Sequence, residues 1–131
     1  MQGAEITKEG VKEALLFEAP GLADDPIKAE ALAATVANTS YAKCLKFLLE
    51  KIESADEAWL KKFVLAITGR PTLLQNSTIK IKESHREVFE IHTCTSSLDI
   101  PKNLPDDGAL RELFLSSLEA AISDSSTYNI A

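Results

Sequence analysis

Cysteine, histidine, tryptophan and methionine are nearly missing from these 131 residues: Cys44, Cys94, His85, His92 and one residue each of the other two. There is no Cys-x-x-Cys pair, and two histidines without one offer too few suitably spaced ligands for a zinc site. No metal and no cofactor are therefore expected. Basic residues are also in the minority, 14 against 20 acidic, for a formal charge of -6. Nucleic-acid binding rests on clustered lysine and arginine, so that class of partner is excluded. The one basic concentration, Lys43, Lys46, Lys51, Lys61 and Lys62, reads as solvated helix faces. No run approaches the roughly 20 apolar residues of a membrane span. The opening Met1-Gln2-Gly3-Ala4-Glu5 has neither the basic region nor the hydrophobic core of a signal peptide. These absences point to a reducing compartment, cytoplasm or nucleus, in which the two thiols stay unpaired. Neither a repeat nor a composition break divides the chain, so residues 1–131 read as a single monomeric domain able to bury about two-thirds of its unfolded surface.

The chain is 45% hydrophobic, and its periodicity is helical first. Thr7 caps an expected helix running through Phe17, with Val11, Ala14 and Leu15 on one side. Asp25-Pro26 has the form of a helix start, and the alanine-rich residues 27–37 have high helix propensity. Tyr41, Cys44, Leu45, Leu48, Leu49 and Ile52 repeat at the spacing of a buried helix face, which makes Cys44 a core residue. Ser54 and Glu57 have capping-box spacing before the next helix, whose apolar face is Trp59, Leu60, Phe63, Val64 and Ile67 and whose left-handed C-cap is Gly69. Two helices joined this tightly should pack as an antiparallel or steeply crossed pair.

The period then changes. Residues 78–82 alternate strictly and 87–91 are rich in strand formers, with 83–86 suited to a hairpin loop between them. Residues 97–100 are a third candidate strand. A last helix, capped by Asp106 or Asp107, buries Leu110, Leu113, Phe114, Leu118 and Ala121, and residues 123–131 lack an apolar period and read as a mobile tail. Helices, then strands, then a helix predict an α+β domain: helices packed on a small, mostly antiparallel sheet.

Cys94 differs from Cys44. Its neighbours His92, Thr93, Thr95, Ser96 and Ser97 are polar, where a structural cysteine sits among apolar residues. His92-Thr93-Cys94 followed by Leu98-Asp99-Ile100-Pro101, preceded by a helix ending Thr68-Gly69 and followed by an aromatic residue, Tyr128, fourth from the end, resembles the C-terminal lobe of the HECT-family ubiquitin ligases. The resemblance spans roughly residues 41–131. It implies that Cys94 accepts ubiquitin as a thioester from a conjugating enzyme and passes it to a lysine of a protein substrate. It also implies that the conjugating enzyme is bound by a larger N-terminal lobe, which this chain is not expected to contain.

Such an exchange needs a thiolate, and a free cysteine with a pKa near ~8.5 supplies a few per cent at neutral pH. Matched thiols exchange without a strong base, so no Cys-His-Asp protease arrangement is required. His92 lies two residues from Cys94, on the same face of an extended chain, and serves either to orient the loop through the backbone or to move a proton. Asp99 either positions a substrate lysine or caps a local turn. Thr93 and Thr95 frame the thiol and are placed to pair with the ubiquitin tail as a strand does. By the resemblance, Tyr128 serves transfer rather than folding. The chain departs from the family at Thr95, where an aromatic is usual, and at Ser96-Ser97, where Asn-Arg is usual. The alternative reading is thus a catalytically degenerate lobe that binds ubiquitin or another protein without being charged.

Overall fold

The computed structural model describes residues 6–18, 24–36, 39–70, 73, 77–84, 89–101, 104 and 108–123. The expected caps Asp106 and Asp107, His85 and Arg86 of the expected hairpin loop, residues 87 and 88 of the expected strand, and Tyr128 with the rest of 124–131 lie outside these residues, while Glu83 and Ser84 of that loop extend the strand before it. Among the described residues five helices pack against one four-stranded sheet: α1 (Lys8–Ala14), β1 (Leu15–Phe17), α2 (Ala29–Ala33), α3 (Ser40–Ser54), α4 (Glu57–Thr68), β2 (Ile79–Ser84), β3 (Glu90–His92), β4 (Ser97–Pro101) and α5 (Leu110–Ser123). None of the described helices is long and apolar enough to cross a membrane.

The sheet order is β1-β2-β4-β3, with β1–β2 and β2–β4 parallel and β3–β4 antiparallel. The mixed α+β class is as expected, but the sheet is mostly parallel, not mostly antiparallel. Two differences account for this. Leu15, Leu16 and Phe17 do not continue the first helix; they leave it and pair with Ile79, Lys80 and Ile81. Strand pairing buries Leu15 and Phe17 completely and leaves Leu16 half-buried, and this tertiary packing overrides helical periodicity there. Second, β2 and β3 do not form the expected hairpin. β4 lies between them, and the antiparallel hairpin is β3–β4. A chain that passes beyond β4's position to lay down β3 and then turns back places β4 parallel to β2.

Other local expectations change for identifiable reasons. Ile27 bridges to Phe17, through Phe17 N to Ile27 O at 2.8 Å and Ile27 N to Phe17 O at 2.9 Å. That extended pairing shortens the alanine-rich helix to α2, with Lys28 rather than Asp25 at its N-cap. Ser54 ends α3 instead of capping α4; Asp56 is the cap, its side chain accepting from Trp59 N at 2.9 Å. On α5, Ile122 takes an inward position while Leu113 is exposed and Ala121 half-buried. α5 packs against both α3 and α4. Trp59 Nε1 donates to Glu119 Oε2, and Lys51 Nζ lies 3.8 Å from the same oxygen and 5.3 Å from the Trp59 ring centre, so one cluster ties the three helices together.

Strand alternation puts Leu15, Phe17, Ile79, Ile81, Leu98 and Ile100 on one sheet face, all deeply buried, and Cys44 lies in the same core. Tyr41 joins that core from α3, and its hydroxyl donates to Glu18 O at 2.6 Å just beyond β1. Burial, reinforced by the charges of Glu83, Glu18 and Asp99, pushes the Tyr41 phenol above its ordinary range. The folded state therefore holds this proton more tightly than the unfolded chain. Its stabilising effect is complete below the unfolded pKa of ~10 and is lost as pH rises above it, by at most about 1.4 kcal/mol per pH unit. Denaturant titrations should show a steeper alkaline loss for the wild type than for Tyr41→Phe. Parallel declines for the two proteins would show that Tyr41 ionisation is not coupled to unfolding.

Candidate functional site

Residues 93–96 join β3 to β4, and Cys94 lies exposed on this turn. Thr95 N donates to His92 O and Ser96 N to Thr93 O, each at 3.2 Å, giving two overlapping turns of the kind common in four-residue hairpin loops. Thr95 Oγ1 and Ser97 Oγ are 2.9 Å apart, and Lys80 N donates to Ser96 O at 2.9 Å, so the far side of the turn is pinned to β2. Polar residues that excluded Cys94 from a core position also supply the hydrogen bonds of its loop.

Ser96 has a φ of 53°, the one positive value among described non-glycine residues. A side chain in the left-handed region costs about 1–2 kcal/mol, partly offset when the alternative is the looser unfolded chain of glycine. Ser96→Gly should therefore stabilise the protein by about 0.5–1 kcal/mol without displacing Cys94. A lowered melting temperature for this variant would show that the Ser96 side chain is itself needed to hold the turn.

Two motifs that are distant in sequence meet at this hairpin. Gly69 caps α4 with a φ of 75° and ψ of 8°, and its N–H donates to Leu65 O at 2.9 Å. A Cβ built at Gly69 would lie 3.7 Å from Thr93 Cβ. The helix end Thr68-Gly69 thus abuts the residue preceding Cys94. β4, which carries Leu98, Asp99, Ile100 and Pro101, runs directly out of the turn through the middle of the sheet.

Beneath the thiol, the hairpin register sets His92 opposite Ser97 and Glu90 opposite Asp99. His92, half-exposed, and Asp99, buried, share the sheet face opposite the apolar core, with Nε2 to Oδ2 at 3.5 Å. Glu90 belongs to the same group, with a ligand atom of each of the three residues within 4.8 Å of the others. Of the sequence candidates, Cys94, His92, Thr93, Thr95 and Asp99 therefore fall on one hairpin. Glu90 was missed. Its signal was the alternation Glu90, His92 on one strand, but only the β3–β4 register reveals that Asp99 stands across from it. Chemically, the arrangement offers an accessible sulfur nucleophile on a braced turn, above an imidazole and two carboxylates able to bind or deprotonate a cationic group.

No known family model matches the chain, and no curated protein is found to be similar to it.

Proposed function

We propose that this domain is a HECT-type ubiquitin-transfer lobe with Cys94 as its nucleophile. The observation that carries the reading is convergence: the helix end Thr68-Gly69, distant in sequence, abuts Thr93 on the hairpin that holds His92-Thr93-Cys94 and Leu98-Asp99-Ile100-Pro101, with Cys94 exposed on its turn. In the proposed reaction, the Cys94 thiolate attacks the thioester carbonyl of ubiquitin carried by a conjugating enzyme, whose own thiolate leaves. A substrate lysine amine then attacks the new thioester, forming the isopeptide bond and releasing the Cys94 thiolate. The amine proton passes to His92, to Asp99 or to water at the hairpin base. A turn held on both sides but open to solvent suits this chemistry, since two large protein partners must reach the sulfur in succession. Thr93 and Thr95 flank the sulfur where an extended ubiquitin tail would lie. Tyr128 keeps the part that the resemblance implies, in transfer to the substrate.

Intact-mass measurement after incubation with a ubiquitin bearing a C-terminal electrophile tests the proposal. One covalent adduct per chain is the expected result. Ubiquitin binding without an adduct would favour the degenerate, non-covalent lobe suggested by Thr95 and Ser96-Ser97, and neither binding nor adduct would overturn both.

A further inference from the structure

We infer that Glu90, His92 and Asp99 form a site for a divalent cation of the zinc class at the base of the β3–β4 hairpin. This inference does not depend on the transfer reaction proposed for Cys94.

The register of the hairpin brings the three side chains to one face: Glu90 is directly across from Asp99, and His92 follows Glu90 by two residues. One nitrogen and two carboxylate oxygens then lie within 4.8 Å of one another. The His92 Nε2 to Asp99 Oδ2 separation of 3.5 Å is long for a hydrogen bond, which is normally about 2.7–3.2 Å. It is close to the edge, about 3.4 Å, of a tetrahedron whose metal–ligand bonds are about 2.1 Å. The pair is spaced as two ligands of one ion.

Asp99 supplies the independent observation. The residue is only 8% exposed, and its Oδ1 is buried with no hydrogen-bond partner among the described residues. Lys82, the β2 residue in register with Asp99, makes no ion pair with it among the described residues. A buried carboxylate with an unpartnered oxygen is costly, and a cation bound to the Asp99 carboxylate beside His92 and Glu90 would lower that cost by neutralising its charge. Two carboxylates balance a 2+ charge, the half-exposed imidazole leaves a route for the ion, and a fourth position remains for water. An imidazole with two carboxylates suits zinc-like ions, whereas calcium and magnesium favour six or more oxygens. Cys94 is not in the ligand set, so metal binding can be measured without its thiol. Since β3 has three residues, an ion shared with β4 would fasten the short edge strand that leads to the thiol.

Zinc titration of the metal-free full chain by calorimetry should give one-to-one binding and a higher melting temperature. Co2+ in place of zinc should give the visible absorption of a tetrahedral site. His92→Gln and Glu90→Gln, whose residues are less buried than Asp99, should each weaken binding by at least about tenfold, since even outer-shell partners are worth that much. Circular dichroism checks that both remain folded, and Cys94→Ala should bind zinc as the wild type does. The inference is overturned by the absence of one-to-one binding, by binding that survives both substitutions, or by its loss in Cys94→Ala. None of these readouts involves ubiquitin, so failure of the transfer proposal would leave the result unaffected.

Discussion

Replacing Cys94 by alanine is expected to abolish every covalent ubiquitin adduct, whereas Cys44→Ala should leave adduct formation at the wild-type level. The two thiols differ in access. Cys94 is exposed on a turn whose backbone is hydrogen-bonded to β3 and β2, and an incoming carbonyl can reach it without any rearrangement of the core. Cys44 is fully buried on α3, where a bulky electrophile would have to open the domain to arrive. The Cys44 substitution should be felt in stability instead, at about 1 kcal/mol, for the loss of a small buried group and the cavity it leaves. Peptide mass mapping of the adduct is the deciding measurement. An adduct mapped to Cys44, or one that persists in Cys94→Ala, would refute the assignment of the nucleophile.

The largest effect on stability is expected from Phe114→Ala, at about 3–5 kcal/mol. Phe114 is fully buried on α5 and meets two other rings: Phe47 of α3 at a centroid distance of 6.5 Å and Phe89, just before β3, at 5.9 Å. The three rings join the last helix, the longest helix and the start of the hairpin that carries Cys94. Truncation would therefore remove transfer energy, open a cavity and sever two aromatic contacts together. Domains of this kind have total stabilities of about 5–15 kcal/mol, so the loss is a large part of the margin. Phe114→Leu, which keeps most of the volume, should cost less than half as much. Equilibrium urea denaturation measures both. A cost under about 1 kcal/mol for the alanine variant would mean that α5 is not integral to the core.

Trp59 and Glu119 illustrate a contact that periodicity could not foresee. Trp59 belongs by spacing to the apolar face of α4, yet its indole N–H is paired with a carboxylate of α5, and the ring is stacked on Phe63 at 5.3 Å. The amphipathic pattern specifies that a helix has an inner face. It does not say which element supplies the cover, or where a polar atom on the border of that face finds its partner.

Residue pattern alone determined the long helices α3 and α4, the left-handed cap at Gly69, the burial of Cys44 and the exposure of Cys94, because each depends on interactions within a few residues of itself. Helical spacing, the freedom of glycine at positive φ and the polarity of a turn are local properties. Tertiary structure alone decided that Leu15–Phe17 is a strand, that β4 stands between β2 and β3, and that Glu90, His92 and Asp99 share one place. Those outcomes depend on pairing partners distant along the chain, Ile79–Ile81 for β1 and both β2 and β3 for β4. A strand's neighbours are selected by global burial and register, and a shift of one residue would have turned Asp99 to the opposite face from Glu90 and His92.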